Sequence, residues 1–425
     1  MTADRAETSA DRAVTSVDRA EMSADRAVTS ADRAETSADR AEMSADRAVT
    51  SADRAEMAAD RAVTGVEFPE LGCYGLAGHS ASPRDLVDEV QQAEKLGLGS
   101  VFLSERFNVK DAAVLAGAAG AVSRHIGIAT AATNHNTRHP LVTATMATSM
   151  HRITGGRYAL GLGRGFNLLF DVMGVPRVTS AQMEDAAGIY RTLWKGEAVV
   201  GHDGPAGKYP FLMQDASFDE DIPLMLMAIG DQTLKLAGRI ADGVVLHTFF
   251  SDETLERSVA IIRESAVESG RDPASIRIWS VLATVEESIP EELRLRKLVG
   301  RLATYLQGYG EVLVRSNGWD LADLERFRND PFVQGFSGAF DAVGTVDDLT
   351  RISALLPDHW LAASATGDAA QCANRIADQF TAGADSVILH GATPTELAPV
   401  LDAWRSIRPG DRFDRLPANP GRAFP

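Results

Sequence analysis

The chain has 425 residues, a net charge of −17 and two cysteines. The acidic balance argues against sequence-independent nucleic-acid binding, which depends on cations that neutralise phosphates. Cys73 and Cys372 are too few for a disulfide framework or a cysteine zinc site, a run of about 18 apolar residues for a bilayer is lacking, and no secretory h-region opens the chain, so a reducing cytosol is expected. From Ala3 to Gly65 a seven-residue unit repeats nine times, as in Ala3-Asp4-Arg5-Ala6-Glu7-Thr8-Ser9. Its alanines have heptad spacing, but an alanine seam buries little apolar surface. Three readings stay open for this segment: a disordered or fraying helical tail, a coiled-coil assembly module, and an over-long start with translation beginning near Met57 or Val66.

After Val66 strand-like and helix-like segments alternate. Strands are expected at Leu71–Leu76, Ser100–Ser104, Ile126–Ala132, Tyr158–Leu162, Leu224–Ile229, Val244–Thr248, Ile276–Val285 and Ser386–Leu389. Between them fall helices at Pro83–Leu96, Asp111–Val122, Leu141–Ile153, Gln182–Trp194, Gln232–Ile240 and Thr254–Ser269. Pro83 suits a first turn and Gly97 a stop. Val199 to Asp221 is rich in Gly, Pro and Asp and reads as a loop region. Roughly 100 residues separate the last two strands, more than one crossover needs, and Glu291–Tyr309 and Leu321–Phe327 read as inserted helices. Eight strands with intervening helices predict a closed (β/α)8 barrel with insertions; an open doubly wound sheet is the alternative. The expected organisation is a low-complexity tail at 1–65, a barrel at 66–410 and a C-terminal tail at 411–425.

In such barrels chemistry sits at the C-terminal strand ends. Those ends carry Gly78-His79, Ser104-Glu105-Arg106-Phe107, Thr133-Asn134-His135, Gly163-Arg164-Gly165, Gly230-Asp231, His247-Thr248, Glu286 and His390-Gly391. The stretch from His151 to Gly165 is the most informative. It reads as a helix end, a Gly155-Gly156 stop, a buried strand, and a turn whose glycines let a ligand approach the main chain. Arg164 inside that turn suggests an anionic ligand. Phe166 stands where a dinucleotide fingerprint needs its third glycine, so a Rossmann site is not expected. His135 and His139 have zinc spacing only on a helix, Pro140 follows at once, and no third ligand is evident, so no metal site is expected. Arg138-His139-Pro140 opens a helix whose N-terminus can receive an anion.

Four lines of residues are similar to the luciferase-like monooxygenase superfamily, and within it to the actinobacterial branch dependent on coenzyme F420. They are Phe102-Leu103-Ser104-Glu105-Arg106-Phe107, Thr137-Arg138-His139-Pro140, His151 to Gly165, and Leu234 to Gly243. Gly367 to Ala384 resembles the family's closing helix, and the resemblance runs from Phe68 to Arg408. It implies a TIM barrel of the luciferase-like type with a flavin or deazaflavin at its mouth. By position, Ser104 and Glu105 would face the ring system or ribityl chain. Ala131 and Ala132 match the bulged, often cis-peptide segment under the ring. Gly163, Arg164 and Gly165 match the loop that meets the cofactor tail and phosphate, with Arg138 a second anion partner, and Ile229, Gly230 and Asp231 match a backbone contact after strand five.

Several relatives carry a histidine where this chain has Arg106, whose guanidinium cannot release its proton near neutral pH. Glu105, His79 or His135 would then serve any proton transfer. Phe107, Phe166, Phe249, Phe250 and Trp279 are candidate pocket residues. The resemblance implies a cytosolic F420-dependent oxidoreductase, as a homodimer, exchanging a hydride with a small organic substrate. Two alternatives stand beside it: an FMN-dependent monooxygenase on the same barrel, and a non-catalytic barrel with the heptad tail as an assembly module.

Overall fold

A computed structural model of the chain describes residues 66–77, 82–107, 109–410 and 412–424. The repeat at 1–65, and His79 with its neighbours, lie outside the described residues. The strands in chain order are β1 Phe68–Tyr74, β2 Leu98–Leu103, β3 Gly127–Thr130, β4 Tyr158–Leu162, β5 Val199–Gly204, β6 Gly207–Leu212, β7 Leu224–Met227, β8 Gly243–Val245, β9 Arg277–Glu286, β10 Ala365–Gly367 and β11 Ser386–His390. Eight of them run β1-β2-β3-β4-β7-β8-β9-β11 and return to β1, every neighbour parallel. The pairing of Val244 with Ile278 and of Leu71 with Val387 closes the barrel. These eight are the strands expected from the sequence.

Each barrel strand is a short apolar run buried on both faces, as it must be between a filled interior and a helical layer. Phe102, Ala129, Ala159, Met225, Val245, Trp279 and Ile388 come from seven strands and pack together, which places them on the barrel axis. Phe102 meets Trp279 edge-on with ring centroids 4.8 Å apart. Outside, Asp85–Lys95, Ala112–Val122, Pro140–Ile153, Ser180–Trp194, Asp231–Ile240, Asp252–Glu268, Ala369–Thr381 and Pro394–Ile407 supply the helical layer. Their starts are encoded locally: Asp111 accepts from the Val114 N–H at 2.9 Å, and Thr179 forms a capping box with Gln182. No described helix is long and apolar enough to cross a membrane.

The first insertion departs from the expected loop, and the second is helical as expected but longer and closed by a strand. The Gly/Pro/Asp-rich region holds an antiparallel β5–β6 hairpin with Gly204 opposite Gly207. Of its twelve residues only Leu212 is buried and half are exposed, so no buried run announced it. The long connection after β9 is helical, and its main helix, Arg301–Ser316, runs past Tyr309, which leaves helical geometry at φ −152° and ψ 31°. The connection ends in β10, which pairs with β9 through Ala365 and Thr284.

The segment after residue 410 packs across the N-terminal ends of the barrel strands. Asn419 donates to the Gly156 and Tyr158 carbonyls, both at 2.8 Å. Trp279 Nε1 donates to the Pro420 carbonyl at 2.7 Å. Arg277, fully buried at the start of β9, donates to the carbonyls of Pro417 and Asn419 from below and to Pro69 and Ser386 within the barrel.

Candidate cofactor and substrate site

At the opposite, C-terminal face, residues 131–134 extend β3 between the ends of β2 and β4. The Ala131–Ala132 peptide is cis. Ala131 N–H donates to the Leu103 carbonyl at 2.7 Å, and Glu105 N–H donates to the Ala132 carbonyl at 3.0 Å. On the β4 side, Gly163 N–H donates to the Thr133 carbonyl at 2.9 Å, and Asn134 Nδ2 to the Gly163 carbonyl at 2.7 Å. A Cβ on Gly163 would lie 2.9 Å from the Ala132 Cβ, so the bare backbone is what lets the two segments meet. Gly165 has φ +68°, and a side chain there would also run into the Phe170 ring.

Glu105 and Arg138 form the central polar pair of this face. Arg138 grips Glu105 bidentately at 2.7 and 2.8 Å. It also reaches Thr133 Oγ1 at 2.9 Å and Asp111 at 2.5 Å. Glu105 further accepts from the Thr133 hydroxyl and from the Ala112 N–H at 3.2 Å. The carboxylate is 2% exposed and its acceptor sites are taken. Hydrogen bonding to Glu105 holds the Arg138 guanidinium well above its ordinary range. The network ties β2, the 131–134 segment and the helix starting at Ala112 into one wall.

The facing wall is aromatic and basic. His247 Nδ1 lies 2.7 Å from the Thr248 carbonyl and Nε2 lies 2.7 Å from Tyr309 Oη. A carbonyl only accepts, so Nδ1 carries the proton and Nε2 accepts from the tyrosine. Burial pushes His247 down to about 4 and raises Tyr309 well above the usual phenol range. Tyr309 stacks on Phe166 with centroids 4.8 Å apart, and Tyr305 meets His247 edge-on at 4.9 Å. His390 Nδ1 lies 3.1 Å from Thr248 Oγ1, and its ring meets Tyr74 at 5.0 Å. Burial lowers His390, and the charges of Arg301 and Arg106 lower it further. Lys110 is pushed down to about 8 by burial and by Arg106 beside it. Arg106 and Lys110 stand at this mouth on a chain of net charge −17, and Arg301 is paired with Asp341 at 2.9 Å.

Most of the remaining residues singled out in the sequence lie around this face, but Trp279, expected in the pocket, lies in the axial cluster with its indole bonded to Pro420 at the opposite face. Ser104 is half-buried at the end of β2. Arg164 donates to the Val178 carbonyl at 3.0 and 3.3 Å and forms no ion pair among the described residues. The Ile229 carbonyl accepts from Ser316 Oγ at 3.3 Å, and Asp231 pairs with Arg257 at 2.8 Å. Gly230 precedes helix Asp231–Ile240, and a Cβ there would meet nothing within 4 Å. His135 is buried in a short 3-10 turn, its Nε2 lacking a hydrogen-bond partner among the described residues. Burial lowers its pKa, and the carboxylate acting on it is Asp185, on helix Ser180–Trp194. Tyr305, Tyr309 and Arg301 were not legible as site residues. His247 and His390 were visible as strand ends, without a partner to single them out.

The sequence profile of the luciferase-like monooxygenase family matches residues 66–386. The 5,10-methylenetetrahydromethanopterin reductase of Methanopyrus kandleri is 25% identical over 327 residues, which are 72% of this chain and 88% of that protein. The F420-dependent glucose-6-phosphate dehydrogenase of Beutenbergia cavernae is 27% identical over 221 residues, 48% of this chain and 64% of that protein. Among solved structures, the coenzyme F420 dependent tetrahydromethanopterin reductase from Methanopyrus kandleri shares the fold, with a TM-score of 0.66 at 20% identity over 81% of this chain and 99% of that one. The match spans the barrel from β1 into β11, including the cis segment and the glycine turn, and the chain belongs to the luciferase-like monooxygenase family of oxidoreductases.

Proposed function

We propose that this protein is an F420-dependent oxidoreductase acting on a small organic substrate in a reducing cytosol, as a homodimer. The observation that carries the reading is the mouth itself: a backbone cradle at 131–134 and 163–165, with Arg164 in no ion pair among the described residues and with Arg106 and Lys110 at the same face of an acidic protein. F420 carries a phosphodiester and carboxylates, so a cationic mouth fits it better than it fits a neutral ligand. The F420-dependent relatives support the same cofactor. When bound, the deazaflavin supplies hydride chemistry at its central ring carbon.

The residues of this chain would position that group. Ala131 and Ala132 form the floor under the ring system. Arg164 and the turn glycines meet the phosphate, and the open N-terminus at Gly230 offers backbone N–H groups to a second anionic group. The Glu105–Arg138 pair holds the floor in place and does not exchange protons, because its acceptor sites are committed. Phe166, Tyr305 and Tyr309 line the side where an apolar substrate body would sit.

Titration of F420 and FMN against the wild type and Arg164→Ala at two salt concentrations tests the reading. Arg164→Ala is expected to weaken F420 binding by about 1–3 kcal/mol, the range for losing a charge-assisted hydrogen bond. Wild-type affinity should fall as salt rises. Tight, salt-insensitive FMN binding with no F420 response would replace F420 by FMN, and binding of neither would leave a non-catalytic barrel. Gly163→Val is expected to displace the Ala131–Ala132 segment, lowering apo-protein melting and F420 affinity together. Normal affinity after a clear drop in melting would assign Gly163 to packing alone.

A further inference from the structure

Most polar groups at the mouth are committed to partners. The Glu105 carboxylate is filled by Arg138, Thr133 and the Ala112 N–H. Arg301, buried on helix Arg301–Ser316, pairs with Asp341 at 2.9 Å and donates to the Ala77 carbonyl at 3.0 Å. His247 is joined to Tyr309 and His390 to Thr248, and the Tyr305 ring packs on both His247 and Tyr309. Arg106 and Lys110 differ: neither side chain has an ion pair or a hydrogen bond among the described residues.

The backbone sets these two cations side by side. Arg106 N–H donates to the Lys110 carbonyl at 3.0 Å, and Lys110 N–H returns the bond to the Arg106 carbonyl at 2.8 Å. Residues that exchange both bonds across an antiparallel bridge stand directly opposite, with their side chains on one face, and like charges there repel. The carboxylate acting on Lys110 is Glu89, whose Oε2 accepts from the Leu76 N–H at 2.6 Å, while Arg301 adds repulsion. The Arg106 charge also acts on Tyr309 and His390, which puts it on the side of the mouth lined by Tyr305 and Tyr309. Two adjacent cations left without a counterion are a local conflict, and such conflicts are kept where function needs them.

We propose that Arg106 and Lys110 form an oxyanion subsite on the substrate side of the mouth, so that the substrate carries a carboxylate or a phosphate group. This deepens the F420 reading and rests on it for the role of the mouth. The guanidinium presents a planar fork of N–H donors and the ammonium a compact point charge, a combination that holds two oxygens of one anionic group. The rest of the substrate would lie along Phe166, Tyr305 and Tyr309, which suits an apolar body. Binding is linked to a proton. Burial and Arg106 hold Lys110 down to about 8, with Glu89 opposing them and Arg301 lowering it further. An anion between the two cations favours the charged ammonium and raises that value. Near pH 8, where part of Lys110 is neutral, anion binding takes up a fraction of a proton; at about pH 6, where Lys110 is already charged, it takes up none at this residue.

The full chain, saturated with F420, is titrated calorimetrically at pH 8 with phenyl phosphate, benzoate and the neutral benzamide. Phenyl phosphate or benzoate is expected to bind at least about tenfold more tightly than benzamide, and the tighter of the two identifies the group. Arg106→Gln, at an exposed position, and Lys110→Gln should each weaken that anion about tenfold, the scale of one charge-assisted hydrogen bond, while F420 affinity stays within about threefold. Lys208→Gln, which removes an exposed charge from β6, should change neither. Proton uptake, read from the heats in two buffers of different ionisation enthalpy, should vanish in Lys110→Gln. Equal binding of the anions and benzamide, or unchanged anion binding in both variants, would overturn the subsite. Mutual exclusion of phenyl phosphate and F420 would overturn it too, by giving the cations to the cofactor. Failure of the wild type to bind F420, with anion binding to the free protein intact, would instead overturn the cofactor reading and leave the subsite standing.

Discussion

Replacing Arg138 by alanine is expected to cost about 3–5 kcal/mol of folding stability, the range for breaking a buried ion pair from one side. The cost comes from what is left behind. The Glu105 side chain is 2% exposed and would be left in the wall with only the Thr133 hydroxyl and the Ala112 N–H as donors. Asp111 would lose the same partner. Burial works against Asp111's charge, but the Val114 N–H and Arg138 outweigh it and hold the carboxyl below its ordinary range. A depressed folded-state pKa contributes stability above the unfolded value, which is lost as pH falls through the folded one. In Arg138→Ala that acid limb should move upward in pH. Urea denaturation of Arg138→Ala, Glu105→Ala and the double variant measures the effect. The double variant should lose less than the sum of the singles, because it removes the stranded carboxylate along with its partner. A loss below about 1 kcal/mol in Arg138→Ala would show a pair that behaves as surface pairs do.

Deleting residues 417–425 is expected to destabilise the barrel by a similar amount, about 3–5 kcal/mol, although the cut lies at the face remote from the site. Arg277 is fully buried and would lose the Pro417 and Asn419 carbonyls, keeping those of Pro69 and the Ser386 hydroxyl. The Gly156 and Tyr158 carbonyls would lose the Asn419 amide, and the Trp279 indole N–H its acceptor, Pro420. Trp279 belongs to the barrel's axial cluster, so loosening it reaches the interior. The prediction is a lower urea midpoint and weakened near-ultraviolet circular dichroism. Arg277→Met in the full chain separates charge from packing: it should recover part of the loss when combined with the deletion. An unchanged midpoint after truncation would mean that the segment only covers the barrel and does not support it.

The barrel was legible in the sequence because its information is local. Each β-strand of the ring is a short apolar run, each helix has an amphipathic face or a cap, and alternation of the two leaves few ways to bury both. Asp111 and Gly97 mark boundaries from their own chemistry. The glycine turn after β4 was legible for the same reason. The β5–β6 hairpin was not, since its strands bury almost nothing and carry the glycines of a loop.

The sequence by itself determined the order of strands and helices, the low-complexity character of residues 1–65, and which residues stand at the strand ends. Tertiary structure alone decided which of those residues have partners. Glu105 meets Arg138 across 33 positions, His247 meets Tyr309 across 62, and Trp279 meets Pro420 across 141. Hydrophobic periodicity reports how a segment faces the core, over windows of about 11–18 residues. It does not report which polar groups from distant segments share a wall once the barrel closes. A polar group withdrawn from water must find a partner there, and only the closed fold determines which one is within reach.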